Sequence, residues 1–201
     1  MKRIIVFGLA LTLRTASSFA ADAGAIHKAP ELAFTVPGQG QRLLSQYRGK
    51  VVALEFISTT CPHCQAASKF MTQIQQEYGA RGFQALDVAI NGLDEGRTPD
   101  QANMLVGMFV NNFHVGFPVG WATREEFMSF MGFSFVEMVM VPQVVLIDRK
   151  GYIHYQTAAN GDDDSRKEPT IRQRVDELLS LGNSSAHNTG KARVALAKKS
   201  S

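Results

Sequence analysis

Apolar positions along this chain alternate between two spacings, and each change of spacing predicts a change from strand to helix or back. Residues 32–36, followed by Pro37-Gly38-Gln39-Gly40, read as a short edge strand and a turn, predicting a small hairpin near the N-terminus. Residues 50–57 are almost continuously apolar, as expected of a central strand covered on both faces. From 62 to 78 the spacing changes: Ala66, Ala67, Phe70, Met71, Ile74 and Tyr78 recur at helical intervals. Pro62 stands in the first turn, where its missing N–H costs nothing, and Gly79 and Gly82 mark the exit. Residues 83–90 predict a second interior strand, and 99–111 a helix that returns the chain across the sheet. Residues 142–148 and 152–156, joined by Arg149-Lys150-Gly151, predict an antiparallel pair, and a last helix is expected at 170–181. Together these elements predict a mixed sheet with helices on both faces, an α/β or α+β sandwich.

Composition adds one domain and a destination. At 201 residues the chain is long enough for one well-buried domain with a leader and a tail, and no internal repeat divides it. Lys2-Arg3, the apolar run 4–13 and Ser18-Phe19-Ala20 are the charged, hydrophobic and small-residue parts of a secretory signal, predicting cleavage after Ala20. About ten apolar residues fall short of the roughly 20 that span a bilayer, so no stable membrane insertion is expected after processing. The expected product is a periplasmic or otherwise extracytoplasmic protein. Its domain is expected over 21–182, followed by a flexible basic tail at 183–201 that carries Lys191, Arg193, Lys198 and Lys199. The formal charge of +3 belongs to leader and tail; the body between them carries about −4, which excludes a nucleic-acid footprint there.

The candidate chemistry is Cys61-Pro62-His63-Cys64, which contains both cysteines and stands where strand gives way to helix. A cysteine in the first helical turn faces unpaired backbone N–H groups and the positive end of the macrodipole, so Cys61 is the expected nucleophile. Cys64 lies one turn on, within reach of a mixed disulfide, and is the expected resolving thiol. His63, near the helix start, either tunes the Cys61 thiolate by charge or N–H donation or is a plain exposed histidine. Glu55 puts an ionisable group inside the apolar strand, which is expensive without a purpose or a cationic partner; residues 83–90 supply no lysine or arginine.

Tyr47-Arg48-Gly49-Lys50-Val51-Val52, the two-cysteine motif, Phe117-Pro118-Val119, Val141-Pro142-Gln143 and Ile147-Asp148-Arg149-Lys150-Gly151 follow in one order. In that order the chain resembles the thioredoxin-fold extracytoplasmic thiol-disulfide oxidoreductases of the TlpA/ResA type. Thr60 replaces the aromatic residue that commonly precedes the first cysteine, and Ala67 stands where a helix glutamate is frequent. The Pro62-His63 pair is similar to that of DsbA-type oxidases. The resemblance implies an α/β thioredoxin fold, with a mixed central sheet flanked by helices on both faces and an added N-terminal hairpin. It also implies that Glu55 exchanges the proton of the resolving cysteine, that Pro142 is a cis-proline, and that Val141 offers backbone hydrogen bonds to substrate. The implied activity is exchange of a Cys61-Cys64 disulfide with cysteines of protein substrates and an unidentified redox partner. It needs no organic cofactor, in a protein that is monomeric or weakly associating.

Residues 127–140 are dense in Phe and Met, including Met128, Met131, Met138 and Met140. They predict core and rim packing, an apolar groove for protein substrates, or thioether binding of Cu(I) completed by the two thiols. The last defines the alternative function, a periplasmic copper-binding module. Gln65 excludes a c-type haem attachment, His27, His114, His154 and His187 lack zinc spacing, and Leu54 and Ser58 stand where thiol peroxidases carry proline and threonine. A purely structural disulfide over two intervening residues would constrain the unfolded chain little.

Overall fold

A computed structural model describes residues 25–161 and 166–181. The expected leader at 1–20 and the tail at 183–201 lie outside the described residues. In chain order the elements are β1 (His27–Lys28), β2 (Ala33–Val36), β3 (Gly40–Leu43), β4 (Val51–Ile57), α1 (Pro62–Tyr78), β5 (Phe83–Ala89), α2 (Pro99–Phe113), β6 (Val119–Trp121), α3 (Arg124–Met131), β7 (Gln143–Ile147) and β8 (Tyr152–Gln156). A closing helix, α4, covers 168–181.

The strands form one mixed sheet in the order β1-β8-β7-β4-β5-β6-β2-β3. β4, β5 and β6 run parallel, while β7 lies antiparallel to β4 and β8 antiparallel to β7. β4 is therefore central, and each of its residues is buried. Side chains alternate across a strand, so β4 feeds two cores. Val51, Ala53 and Ile57 meet Met71 and Ile74 of α1, Val106 and Phe109 of α2, and Ile171 and Val175 of α4. Val52, Leu54 and Phe56 meet Phe127, Met128, Phe130 and Met131 of α3, with Phe34 and Leu44. Phe56 packs against Phe127 and Phe130 at centroid distances of 4.8 and 5.5 Å. Truncating a phenylalanine buried this way costs about 3–5 kcal/mol.

The hairpin forms, but its first strand is not the sheet edge. β2 pairs with β3 on one side and, through Thr35 opposite Trp121, with β6 on the other, leaving β3 outermost. Gly120 permits that contact, since a Cβ there would stand 2.7 Å from both the Phe34 ring and the Thr35 carbonyl oxygen. The β6–α3 pair was not expected. Three residues are too few to show a period, yet α3 opens with a complete capping box: Glu126 N–H donates to Thr123 Oγ1 and Thr123 N–H to the Glu126 carboxylate. The Phe/Met segment divides accordingly. Phe127, Met128, Phe130 and Met131 are core, whereas Phe135, Val136, Met138 and Met140 are exposed in the loop before β7.

Candidate active site

β4 ends at Ile57, and four residues later the chain enters α1 with Cys61 as its N-cap and Pro62 at the first helical position. The intervening turn is braced from two sides. Thr59 N–H donates to Asn91 Oδ1 at 3.2 Å, Asn91 Nδ2 donates to Thr59 Oγ1 at 3.0 Å, and Gln65 Nε2 donates to the Thr59 carbonyl at 3.0 Å. Cys61 N–H donates to Ser58 O at 3.1 Å, and its own carbonyl accepts from Gln65 N–H at 3.0 Å. The Cys61 side chain caps nothing, so its sulfur is not engaged by the helix it starts.

The two thiols are free and differ in access. Cys61 is half-buried, and its Sγ lies 3.8 Å from the Val141 carbonyl oxygen. Cys64 is fully buried in the α1 core. Burial pushes the Cys64 thiol well above its ordinary range; the Ser58 backbone opposes this, and the Cys61 sulfur and Glu55 carboxyl add to it. His63 is exposed in the same turn.

Val141 and Pro142 approach from the other side of Cys61, across a cis peptide bond. Gln143 fixes this approach from beneath. It is fully buried, its Nε2 donates to Met140 O at 2.5 Å and to Ala158 O at 3.1 Å, and its Oε1 accepts from the Thr157 hydroxyl. Met140 N–H donates to Ala159 O at 2.9 Å. These bonds tether the end of the loop that delivers the Val141 carbonyl to Cys61.

Glu55 stands on the α1 face of β4, fully buried, and among the described residues no cation acts on it. Its partner in register on β5 is Asp87, also fully buried and on the same face. Ser68 of α1 donates to Asp87 Oδ2 at 2.6 Å and contacts the Cys64 carbonyl oxygen at 3.1 Å. Among the described residues, no N–H or hydroxyl donates to either Glu55 oxygen or to Asp87 Oδ1, which leaves the two carboxyls facing each other. Burial holds Glu55 well above the usual carboxylate range, and the Asp87 charge raises it further. Burial also pushes Asp87 up, to about 7, against the pull of the Ser68 hydroxyl.

The structure thus brings Cys61, Pro62, His63, Cys64, Glu55, Val141 and Pro142 to one end of the sheet. It adds Asp87 and Ser68, which sequence reading missed. A signal for Asp87 was present: it interrupts the apolar strand Phe83–Ala89 just as Glu55 interrupts Val51–Ile57. Only the register shows that the two acids are neighbours.

Three comparisons bear on this site. A family model described as AhpC/TSA family matches residues 26–156. The chain is 29% identical over 76 residues to thiol-disulfide oxidoreductase ResA of Oceanobacillus iheyensis, a match over 38% of this chain and 35% of that one, so it spans about a third of the curated relative. Among solved structures, a protein provisionally named thiol:disulfide interchange protein DsbE, from Chlorobium tepidum, superimposes with a TM-score of 0.61 at 26% identity, over 79% of this chain and 98% of that one. A thioredoxin family thiol:disulfide interchange protein from Chlorobium tepidum TLS gives a TM-score of 0.59 at 21% identity, over 76% and 95% of the two chains. The architecture is the thioredoxin fold.

Proposed function

Since the chain belongs to the AhpC/TSA family, we propose that it is an extracytoplasmic thiol-disulfide oxidoreductase that exchanges a Cys61-Cys64 disulfide with cysteines of protein substrates. One observation carries this reading: a half-buried Cys61 at the start of α1 stands over a fully buried Cys64 one turn on, with a buried acid beneath. The extracytoplasmic location rests on the leader read in the sequence.

In the oxidising direction a substrate thiolate attacks Cys61 Sγ, the Cys61-Cys64 bond breaks, and the electron pair leaves on Cys64. Cys64 is buried, so the charge does not persist there, and the Glu55 carboxyl supplies the proton. In the reverse step Glu55 as carboxylate accepts the Cys64 proton, and the Cys64 thiolate attacks the mixed disulfide on Cys61, releasing the substrate thiolate. Pro62 and His63 tune Cys61 from the first turn of α1, where backbone N–H groups lack intrahelical partners. Val141, beside the Cys61 sulfur, offers its backbone to an extended substrate segment, and the exposed Phe135, Val136, Met138 and Met140 give apolar contact to partly folded chains.

The test is the reduction potential of the Cys61-Cys64 couple in glutathione buffers, read by the mass of alkylated thiols. A high potential identifies a disulfide donor and a low one a reductant. Failure to exchange, with copper retained by the reduced protein, would replace the enzyme reading with the copper-binding one.

A further inference from the structure

A second buried acid next to the first is unusual in a strand pair that has room for apolar residues at both positions. Glu55 and Asp87 are partners in register on adjacent parallel strands, both fully buried, both on the α1 side of the sheet. Among the described residues, no N–H or hydroxyl donates to either Glu55 oxygen or to Asp87 Oδ1; the hydrogen-bonding group each of these oxygens has beside it is the other carboxyl. An apolar pair would avoid that cost, so the carboxyls answer to something other than packing. Ser68 supplies the link to the thiols: one hydroxyl contacts Asp87 Oδ2 and the Cys64 carbonyl oxygen, tying the second acid to the turn that carries Cys64.

We propose, building on the exchange reading above, that Asp87 is a positioning residue for proton transfer: Glu55 and Asp87 hold one proton between them, and this pair, anchored by Ser68, takes and returns the proton of Cys64. In the resolving step the Cys64 S–H bond breaks, its proton passes to Glu55 and the singly charged pair becomes neutral. The Cys64 electron pair forms the bond to Cys61, and the substrate leaves as thiolate. When the disulfide is next opened by a substrate thiolate, the pair returns that proton to Cys64.

Among the described residues, no other titratable group competes for this role. β6 and β7, which flank the two strands, carry none. On α1, Cys61 and Cys64 face the site, while His63 is exposed, Lys69 lies over the Phe113 ring, Glu77 pairs with Arg172 and Tyr78 donates to Asp176. On α2 the acid is Asp100, exposed in the first turn. On α4, Arg174 lies over the Tyr155 ring and Glu177 accepts from the Tyr155 hydroxyl. Burial raises both acids, and the Asp87 charge raises Glu55 further, so the pair keeps its last proton to an unusually high pH, in the direction the proposal requires.

The experiment is a carboxyl-carbon NMR titration of the reduced protein, labelled at Asp and Glu, with the pH profile of Cys64-dependent resolution recorded alongside. In the wild type the Glu55 signal is expected to show two inflections, one of them shared with Asp87. In Asp87→Asn it becomes a single step, lower by about one pH unit or more, and the resolution profile moves the same way. Should that variant not fold, Ser68→Ala reads the same coupling: the shared inflection rises for both carbons. An unchanged Glu55 curve in folded Asp87→Asn, or a response confined to Asp87 in Ser68→Ala, overturns the proposal. Because the titration does not depend on exchange, failure of the exchange reading shows separately, as a Cys61-Cys64 pair that does not react.

Discussion

Replacing Asp87 by Asn makes the cost of the buried pair measurable as stability. Burial pushes Asp87 up to about 7 in the folded chain against an ordinary 3.8, which corresponds to a stability difference on the order of 4 kcal/mol. Below about pH 4 both folded and unfolded chains hold this proton, and the group's contribution is fully present. As the pH rises from about 4 to about 7 the unfolded chain ionises first, so stability falls by that amount and then levels off. Asn has nothing to ionise. Its side-chain oxygen still accepts from Ser68, so the variant should lie within about 1 kcal/mol of wild type near pH 4.5 and be more stable by about 3–4 kcal/mol at pH 8. Relief of Glu55 acts in the same direction. Urea unfolding of both reduced proteins, followed by circular dichroism at pH 4.5, 6 and 8, gives the difference directly. A difference that changes by less than about 1 kcal/mol over this range would refute the reasoning, because Asp87 would then be ionising at an ordinary pH.

Glu55→Gln should slow resolution by Cys64 about 10²–10⁴-fold while leaving formation of the mixed disulfide at Cys61 close to wild type, as measured by stopped flow at pH 7. Gly120→Ala drives a Cβ against the Phe34 ring and the Thr35 carbonyl; a loss of about 1–3 kcal/mol is expected in thermal unfolding, with hydrogen exchange accelerated in β2 and β3. Replacing exposed Met138 and Met140 together by Ser should raise KM for an unfolded protein substrate without altering exchange with glutathione, in paired steady-state assays.

What could be read from the sequence followed from signals that are local. The continuous run in β4, the helical spacing and N-terminal proline of α1, and the turn between β7 and β8 are each contained within one element, and all three formed as expected. The positions of Cys61 and Cys64 followed from the same local pattern, because a motif at a strand-to-helix junction fixes which cysteine begins the helix. What was missed depends on pairing between distant segments. β6 is recognisable only because Val119 and Trp121 add to β5, and the hairpin's place inside the sheet rather than at its edge depends on the contact of Thr35 with Trp121. A buried acid in a strand leads one to expect a cationic partner, whereas the register of β4 and β5 sets a second acid opposite Glu55. The Phe/Met density of 127–140 is uniform along the sequence, and only the Thr123 and Glu126 capping box marks where its core half begins as a helix.

The central claim is that Cys61 attacks and Cys64 resolves, and trapping tests it most directly. Cys64→Ser and Cys61→Ser, each incubated with a disulfide-bonded peptide and analysed by intact mass, isolate the two roles. The account predicts that Cys64→Ser accumulates a stable mixed disulfide through Cys61, because the half-buried sulfur stays reachable and nothing remains to resolve it. Cys61→Ser should form almost none, because Cys64 is fully buried and its thiol is held protonated. Adducts on Cys64 at a comparable rate, or on neither cysteine, would contradict the account.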